Sequence, residues 1–307
     1  MGRLICWLAE RKIFTVIIIV AYLVTTVVLH DRVQKIFFWA QAEVSPHTYN
    51  SGITIIGLCT VGLLSWPIWG KIRSGSEVTL RLTYWCLTLA LMAISYNALM
   101  AINSESIHFP QYAFLALPVF ALCWRFGETV LWVTLLGAVD EAYQYWVLHS
   151  HWGIYFDFND VVLNLIGGGL GVILIFMLVN VSPASDPRSR YSLSKRVKSP
   201  LFVMTASLLV GGMLLYLTEF LQLYPNSHAS RAIILLSRSP RPPGFWKTET
   251  WASKPFHILH PVEGILLIAA LVACYVVLDY KIELKERIVR RDSMETKQMH
   301  QTKVANG

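Results

Sequence analysis

Charge is scarce in this 307-residue chain: Asp, Glu, Lys and Arg together make up 15% of it, against roughly 25% in soluble globular domains. With 55% hydrophobic residues and a mean hydropathy of +0.50, that scarcity excludes a disordered chain or a collagen and argues against a water-soluble enzyme. No P-loop, HExxH, dinucleotide fingerprint or nucleophile motif is present, so none of those chemistries has a sequence basis. The five cysteines, Cys6, Cys59, Cys86, Cys123 and Cys274, show no CxxC spacing and lie in or beside apolar runs. They read as small buried hydrophobes, which excludes a disulfide scaffold and a cysteine zinc site. The net charge of +7 does not imply nucleic acid, because the basic residues sit between apolar runs and not along one face.

Apolar length is what the chain has. Crossing hydrocarbon takes about 20 mostly apolar residues, and eight segments approach that length: Ile13–His30, Gly52–Trp69, Leu82–Ala101, Pro110–Trp124, Thr129–Leu148, Asp160–Asn180, Leu201–Leu217 and Val262–Asp279. The expected fold class is all-α, a polytopic transmembrane helix bundle of about eight spans. The fourth segment is the weakest, being short and interrupted by Pro118. Ala40-Gln41-Ala42 resembles a signal-peptide cleavage site, but Arg32 and Lys35 separate it from the first apolar run, so an uncleaved anchor is expected. Alternate loops carry 19 and 7 Lys or Arg residues, which places both termini on the cytoplasmic side of a multi-pass cell-membrane protein.

The expected organisation is a six-span half over 1–181, a Ser-, Pro- and Arg/Lys-rich cytoplasmic linker over 182–200, and a two-span half over 201–280. The two-span half contains a long extracytoplasmic loop over 221–261. A charged cytoplasmic tail over 281–307 follows, with Glu283–Arg287 and Glu286–Arg290 at helical spacing. Within the outer loop, Arg231–Trp251 mixes an apolar run from Ala232 with Pro240, Pro242, Pro243 and Trp246. That composition suits a segment resting on the outer membrane interface.

Ionisable groups at membrane depth are costly and mark functional sites by default. Here they cluster. The fifth segment carries Asp140, Glu141 and, three to four residues on, Gln144. The sixth opens with Asp157 and Asp160 and continues to Asn164 and Gly168 at i+3 or i+4 spacing, a single polar stripe on a helix. At about 1.5 Å per residue, Gln144 and Asn164 sit at one depth, and the two acids match Gly167–Gly169 at another. Gly167 and Gly171 form a GxxxG spacing that permits close helix approach and would bring the stripe against the acids. His108, before the fourth segment, closes the site from the outer side.

Each feature also has a plain structural reading: helix packing for GxxxG, capping for Asp160, an interhelical hydrogen bond for Asn164, an interfacial position for His108. Adjacent carboxyls in hydrocarbon have no packing purpose, and they require either a neutral acid or a bound cation. Asp140, Glu141, Asp160 and His108 are therefore the candidate catalytic groups, and Gln144, Asp157 and Asn164 the candidate binding groups. Asp140, Glu141 and Asp160 are candidate ligands for a divalent cation, which prefers oxygen donors. A second ExxQ, Glu219 and Gln222 in the seventh segment, is expected to approach this cluster.

The ordered set His108-Phe109, Asp140-Glu141-x-x-Gln144 and Gly153-x-x-Phe156-Asp157-x-x-Asp160-x-x-x-Asn164-x-x-Gly167, with Gly171 beyond, resembles the VanZ-like family of bacterial membrane proteins over about Leu82 to Asn180. The resemblance implies an integral protein of the cell envelope, in a family linked to glycopeptide resistance, particularly to teicoplanin. Family members often carry a Lys three residues before the His and an Arg after the glycine of the second acidic motif. Those places hold Glu105 and Ile154 here, and Arg231, Arg238 and Arg241 of the outer loop are replacement candidates. The leading expectation is a site open to the extracytoplasmic side that binds or acts on an envelope lipid, a lipid-linked envelope precursor or glycan, or an amphipathic antibiotic. Two other readings are a proton- or cation-coupled transporter and a non-catalytic scaffold that binds partners through its basic linker and tail. Catalysis and oligomeric state are left open.

Overall fold

The computed structural model describes residues 1–74, 78–148, 155–179, 200–225, 234–239, 244–250 and 252–305. The linker over 182–199, Gly153, Ile154, Arg231 and Arg241 lie outside the described residues. Among these residues the chain is all-α apart from one short strand pair. Its helices are α1 (Gly2–Glu10), α2 (Lys12–Glu43), α3 (Pro46–Ser74), α4 (Val78–Ala98), α5 (His108–Cys123), α6 (Phe126–Tyr143), α7 (Phe158–Leu178), α8 (Pro200–Leu217) and α9 (Pro261–Ala305). β1 (Leu221–Gln222) pairs in parallel with β2 (Ile234–Leu235).

Among the described residues, six segments are long and apolar enough to cross a membrane: Lys12–His30, His47–Gly70, Val78–Ala98, Asn103–Cys123, Phe158–Leu178 and Pro261–Ile282. The expected count of eight is therefore not reached. α6 carries Glu128, Asp140 and Glu141 within its 18 residues, and the apolar part of α8 within the described residues covers only Ala206–Leu217. The fourth segment qualifies despite Pro118 because a 3-10 turn, Asn103–Ile107, leads directly into α5.

α7 is the central helix, buried along most of its length. Its glycine run explains how three neighbours reach it. Successive helical residues point about 100° apart, so Gly167, Gly168 and Gly169 face three partners. A Cβ on Gly167 would lie 2.6 Å from the His108 carbonyl oxygen on α5. One on Gly168 would lie 2.7 Å from Val133 on α6, and one on Gly169 would collide with the Tyr275 hydroxyl on α9. Gly171 faces Ala113 and Ala116, again on α5. The GxxxG pair therefore packs α7 on α5, which corrects the expectation that it serves the acids of α6. The close approach to α6 at the site uses Gly137, where a Cβ would lie 2.8 Å from Asn164.

The bundle has two distinct ends. Gly2 packs by Val179 at the end of α7, Arg81 lies over the Phe176 ring, and Asp279 accepts hydrogen bonds from the Phe126 and Gly127 amides, both at 2.8 Å. The opposite end gathers the starts of α5, α7 and α9 with the ends of α4 and α6. There Asn159 is a three-way latch: its Nδ2 donates to the Leu99 and His257 carbonyls, and its Oδ1 accepts from the Leu259 amide. The described residues of the segment between α8 and α9 fold over this end. The Phe156 amide donates to the Leu236 carbonyl at 2.7 Å, Tyr145 Oη donates to Leu235 O at 2.7 Å, and Lys247 bridges Phe256. Within its described residues the loop therefore caps the bundle and does not simply lie on the membrane interface, although Phe245 and Trp246 stay exposed. Ala232, Ile233, Pro240, Pro242 and Pro243 lie outside the described residues.

Candidate functional site

Three helix ends build the site. α7 is capped by Asp157, whose Oδ1 accepts from the Asn159 and Asp160 amides at 2.9 and 3.4 Å. This is the usual role of Asp before a first helical turn, and it falls to Asp157, leaving the Asp160 carboxylate for other work. One and two turns further in, Asp160 and Asn164 face the start of α5. His108 Nδ1 lies 2.7 Å from Asn164 Oδ1, and its Nε2 lies 3.7 Å from Asp160 Oδ1. His108 is buried as the first residue of α5, stacked parallel to Tyr112 at 6.2 Å between ring centroids. It is an internal member of the cluster and not a loop residue closing it from above.

Asp140 and Glu141 part company because adjacent helix positions diverge by about 100°. Asp140 turns inward, where its Oδ2 accepts from the Tyr112 hydroxyl at 3.0 Å and its Oδ1 has no protein partner. Glu141 turns into a cavity and accepts from Gln144 Nε2 at 3.3 Å. Gln144 opens a π-type turn, Gln144–Leu148, a local widening of the kind that recurs at functional sites. Among the described residues, no three His, Cys, Asp or Glu side chains are placed to share a metal ion. The expected set of Asp140, Glu141 and Asp160 is not among such groups; Asp140 accepts from Tyr112 and is not among the residues lining the cavity.

The cavity measures about 960 Å³ and has two characters. Its polar end carries Glu105, Glu141, Asp157 and Asp160 with His108, Gln144 and Tyr155. Its other wall is apolar: Leu29, Val33, Phe37 and Phe38 of α2 with Phe114 of α5. Phe114 is 68% exposed, so this wall continues onto the lateral surface of the bundle. Burial, and after it the charge of Asp160, pushes the Asp157 carboxyl up to about 8. Burial, then Asp157 and Asp160, likewise push the Tyr155 phenol well above its ordinary range.

Sequence reading missed several residues. Tyr112 was within reach, lying one turn from His108 on the same helix face. Gly137 and Asn159 carry no local signal, because their roles depend on which helix stands opposite. Lys247 and Glu249, paired at 3.0 Å, and Ser237 and Ser239 reach the cavity from the outer loop. Glu105 closes its own turn by accepting from the Ala101 and Ile102 amides. Arg238 lies over the Tyr145 ring and donates to the Tyr145 carbonyl at 3.0 Å, behind the cavity lining.

The second ExxQ does not join the cluster. α8 ends at Leu217 and Glu219 turns at φ +61°, so the helical i,i+3 relation is lost. Glu219 is exposed, and Gln222 is the last residue of β1. Neither lines the cavity.

No curated protein and no solved structure matches the chain. A family model described as VanZ/LLP1 matches residues 53–180, from α3 to the end of α7. The match contains Glu105, His108, Asp140, Glu141, Gln144, Asp157, Asp160 and Asn164. Residues 53–180 are thus similar to the VanZ/LLP1 family, within an all-α bundle whose described residues include six helices long and apolar enough to cross a membrane.

Proposed function

We propose that this protein binds an envelope amphiphile, with the head group in the acidic end of the cavity and the chain along α2. The cavity joining a carboxylate-lined end to an apolar wall is the observation that carries this reading. Ligand sites are mostly apolar with a few convergent polar groups; this one places its polar groups at a helix-end cluster and its apolar wall toward the lipid. The chemical class covers an envelope lipid, a lipid-linked envelope precursor or glycan, and an acylated glycopeptide such as teicoplanin.

The same reading places the site on the extracytoplasmic side, with both termini in the cytoplasm. Counted over the eight apolar segments of the sequence, the asymmetry of 19 against 7 basic residues between alternate loops supports that orientation. So does the shared position of Gly2 and the Asp279 region at the end away from the site.

The test is binding of labelled envelope lipids to the purified protein in lipid discs, with and without teicoplanin. Saturable binding that Phe38→Asp on the apolar wall and Asp160→Ala at the polar end both weaken supports the reading. Binding that neither substitution alters refutes it. A scaffold would keep its cellular function in Glu141→Ala or Asp160→Ala, whereas a binding protein would lose it.

A further inference from the structure

We infer that the head group this cavity takes is cationic, an ammonium carried on an apolar chain, and not a phosphate. The inference rests on the amphiphile reading above and concerns the chemistry of its polar end.

The inner wall offers acceptors where a ligand must supply donors. His108 is 6% exposed and Gln144 8% exposed, and both line the cavity. With His108 Nδ1 donating to Asn164 Oδ1 at 2.7 Å, the neutral ring leaves Nε2 as an acceptor. That nitrogen makes no hydrogen bond to protein, its nearest charged neighbour being Asp160 Oδ1 at 3.7 Å. Gln144 uses Nε2 on Glu141 and makes no other hydrogen bond, so its amide oxygen stays unpartnered in the cavity. Two almost wholly buried side chains thus present unused acceptors beside the Glu141 and Asp160 carboxylates.

The charges agree. Among the described residues, five carboxyl side chains line the cavity: Glu105, Glu141, Asp157, Asp160 and Glu249. Among the described lining residues Lys247 is the one Lys or Arg, and it is paired with Glu249 at 3.0 Å. Glu105 and Asp157 are engaged with backbone amides. Glu141 and Asp160 remain without a cationic partner from Lys or Arg. An ammonium brings one positive charge and three donors, matching two carboxylates, an imidazole nitrogen and an amide oxygen. A phosphate brings acceptors and negative charge to a wall already made of both, and like charges brought together out of water are costly.

The probes are hexadecylammonium, N-hexadecylacetamide and hexadecyl phosphate, which share one chain and differ in the head. Each is titrated against the full chain in uncharged lipid discs. The ammonium should bind at least about tenfold more tightly than the acetamide, or about 1.4 kcal/mol, and the phosphate most weakly. Glu141→Gln and Asp160→Asn, each first checked for an unchanged elution profile and melting transition, should each reduce the ammonium preference to within about threefold of unity.

Phosphate binding as tight as ammonium overturns the inference while leaving the amphiphile reading intact. An ammonium preference unchanged in both variants also overturns it, by placing its source outside the cavity. Failure of all three probes to bind overturns both the inference and the amphiphile reading.

Discussion

Gly167→Ala is a one-carbon perturbation that couples the helix packing to the site. Its Cβ would lie 2.6 Å from the His108 carbonyl oxygen, 2.9 Å from that of Phe109 and 3.0 Å from Tyr112 Cβ. Two of these are backbone atoms of α5 and cannot rotate away. Restoring an ordinary contact of 3.4 Å requires the start of α5 to retreat by about 0.8 Å. The same displacement stretches the 2.7 Å His108–Asn164 hydrogen bond to its limit. Overpacking typically costs about 1–3 kcal/mol, and a buried polar group losing its partner costs roughly another 1–3 kcal/mol. Replacing a helical glycine with alanine returns about 1 kcal/mol. The net expectation is a loss on the order of 3 kcal/mol, read as a fall in melting temperature of about 5 °C or more. Gly211→Ala on α8 is the control: a Cβ there meets nothing within 4 Å, so only the helix gain remains and the melting temperature should hold or rise slightly. The assay is thermal unfolding of purified protein in one detergent, followed by ligand binding on the folded fraction. A Gly167→Ala protein as stable as Gly211→Ala would falsify the packing argument.

Asp279→Ala leaves the Phe126 and Gly127 amides without their 2.8 Å acceptors, so a loss of about 2–4 kcal/mol is expected, recovered at most in part in Asp279→Asn, whose one carbonyl oxygen serves a single amide while its NH2 faces the other donor; thermal unfolding decides. Asn159→Ala removes three hydrogen bonds between the Leu99 turn, the His257–Leu259 segment and α7, so hydrogen exchange of the Leu259 amide should accelerate, and unchanged protection would count against the latch. Asp157 carries the pH dependence. Its folded-state pKa of about 8 lies above the ordinary carboxyl value, so the native protein holds the extra proton. Its contribution to stability is fully present below about pH 4 and is lost as pH rises through about 8. Asp157→Asn keeps the cap and should flatten the decline between those limits. A reporter fused after Gly307 should signal from the cytoplasm, and an extracytoplasmic signal would reverse the placement of the site.

Composition alone determined the class of this protein, because few soluble folds tolerate so little charge with so much apolar length. The sequence also determined which polar residues share one face of α7. Asp157 with Asp160 and Asn164 is a helix cap followed by a one-sided stripe, and that arithmetic holds wherever the helix packs. What it could not determine is facing. In a membrane, lipid and protein interior are equally apolar, so the pattern around a span such as α7 does not say which side meets a neighbour. For that reason Gly167–Gly169 read as one contact and turned out to be three. Asp140 and Glu141 read as a pair, but only Glu141 lines the cavity, while Asp140 accepts from Tyr112. Glu219 read as helical but lies beyond the last turn of α8. The segment between α8 and α9 is the clearest case: Ser237, Ser239, Lys247 and Glu249 reach the cavity through pairings such as Phe156 with Leu236, between segments far apart in the chain, and only the folded bundle brings those backbone groups together.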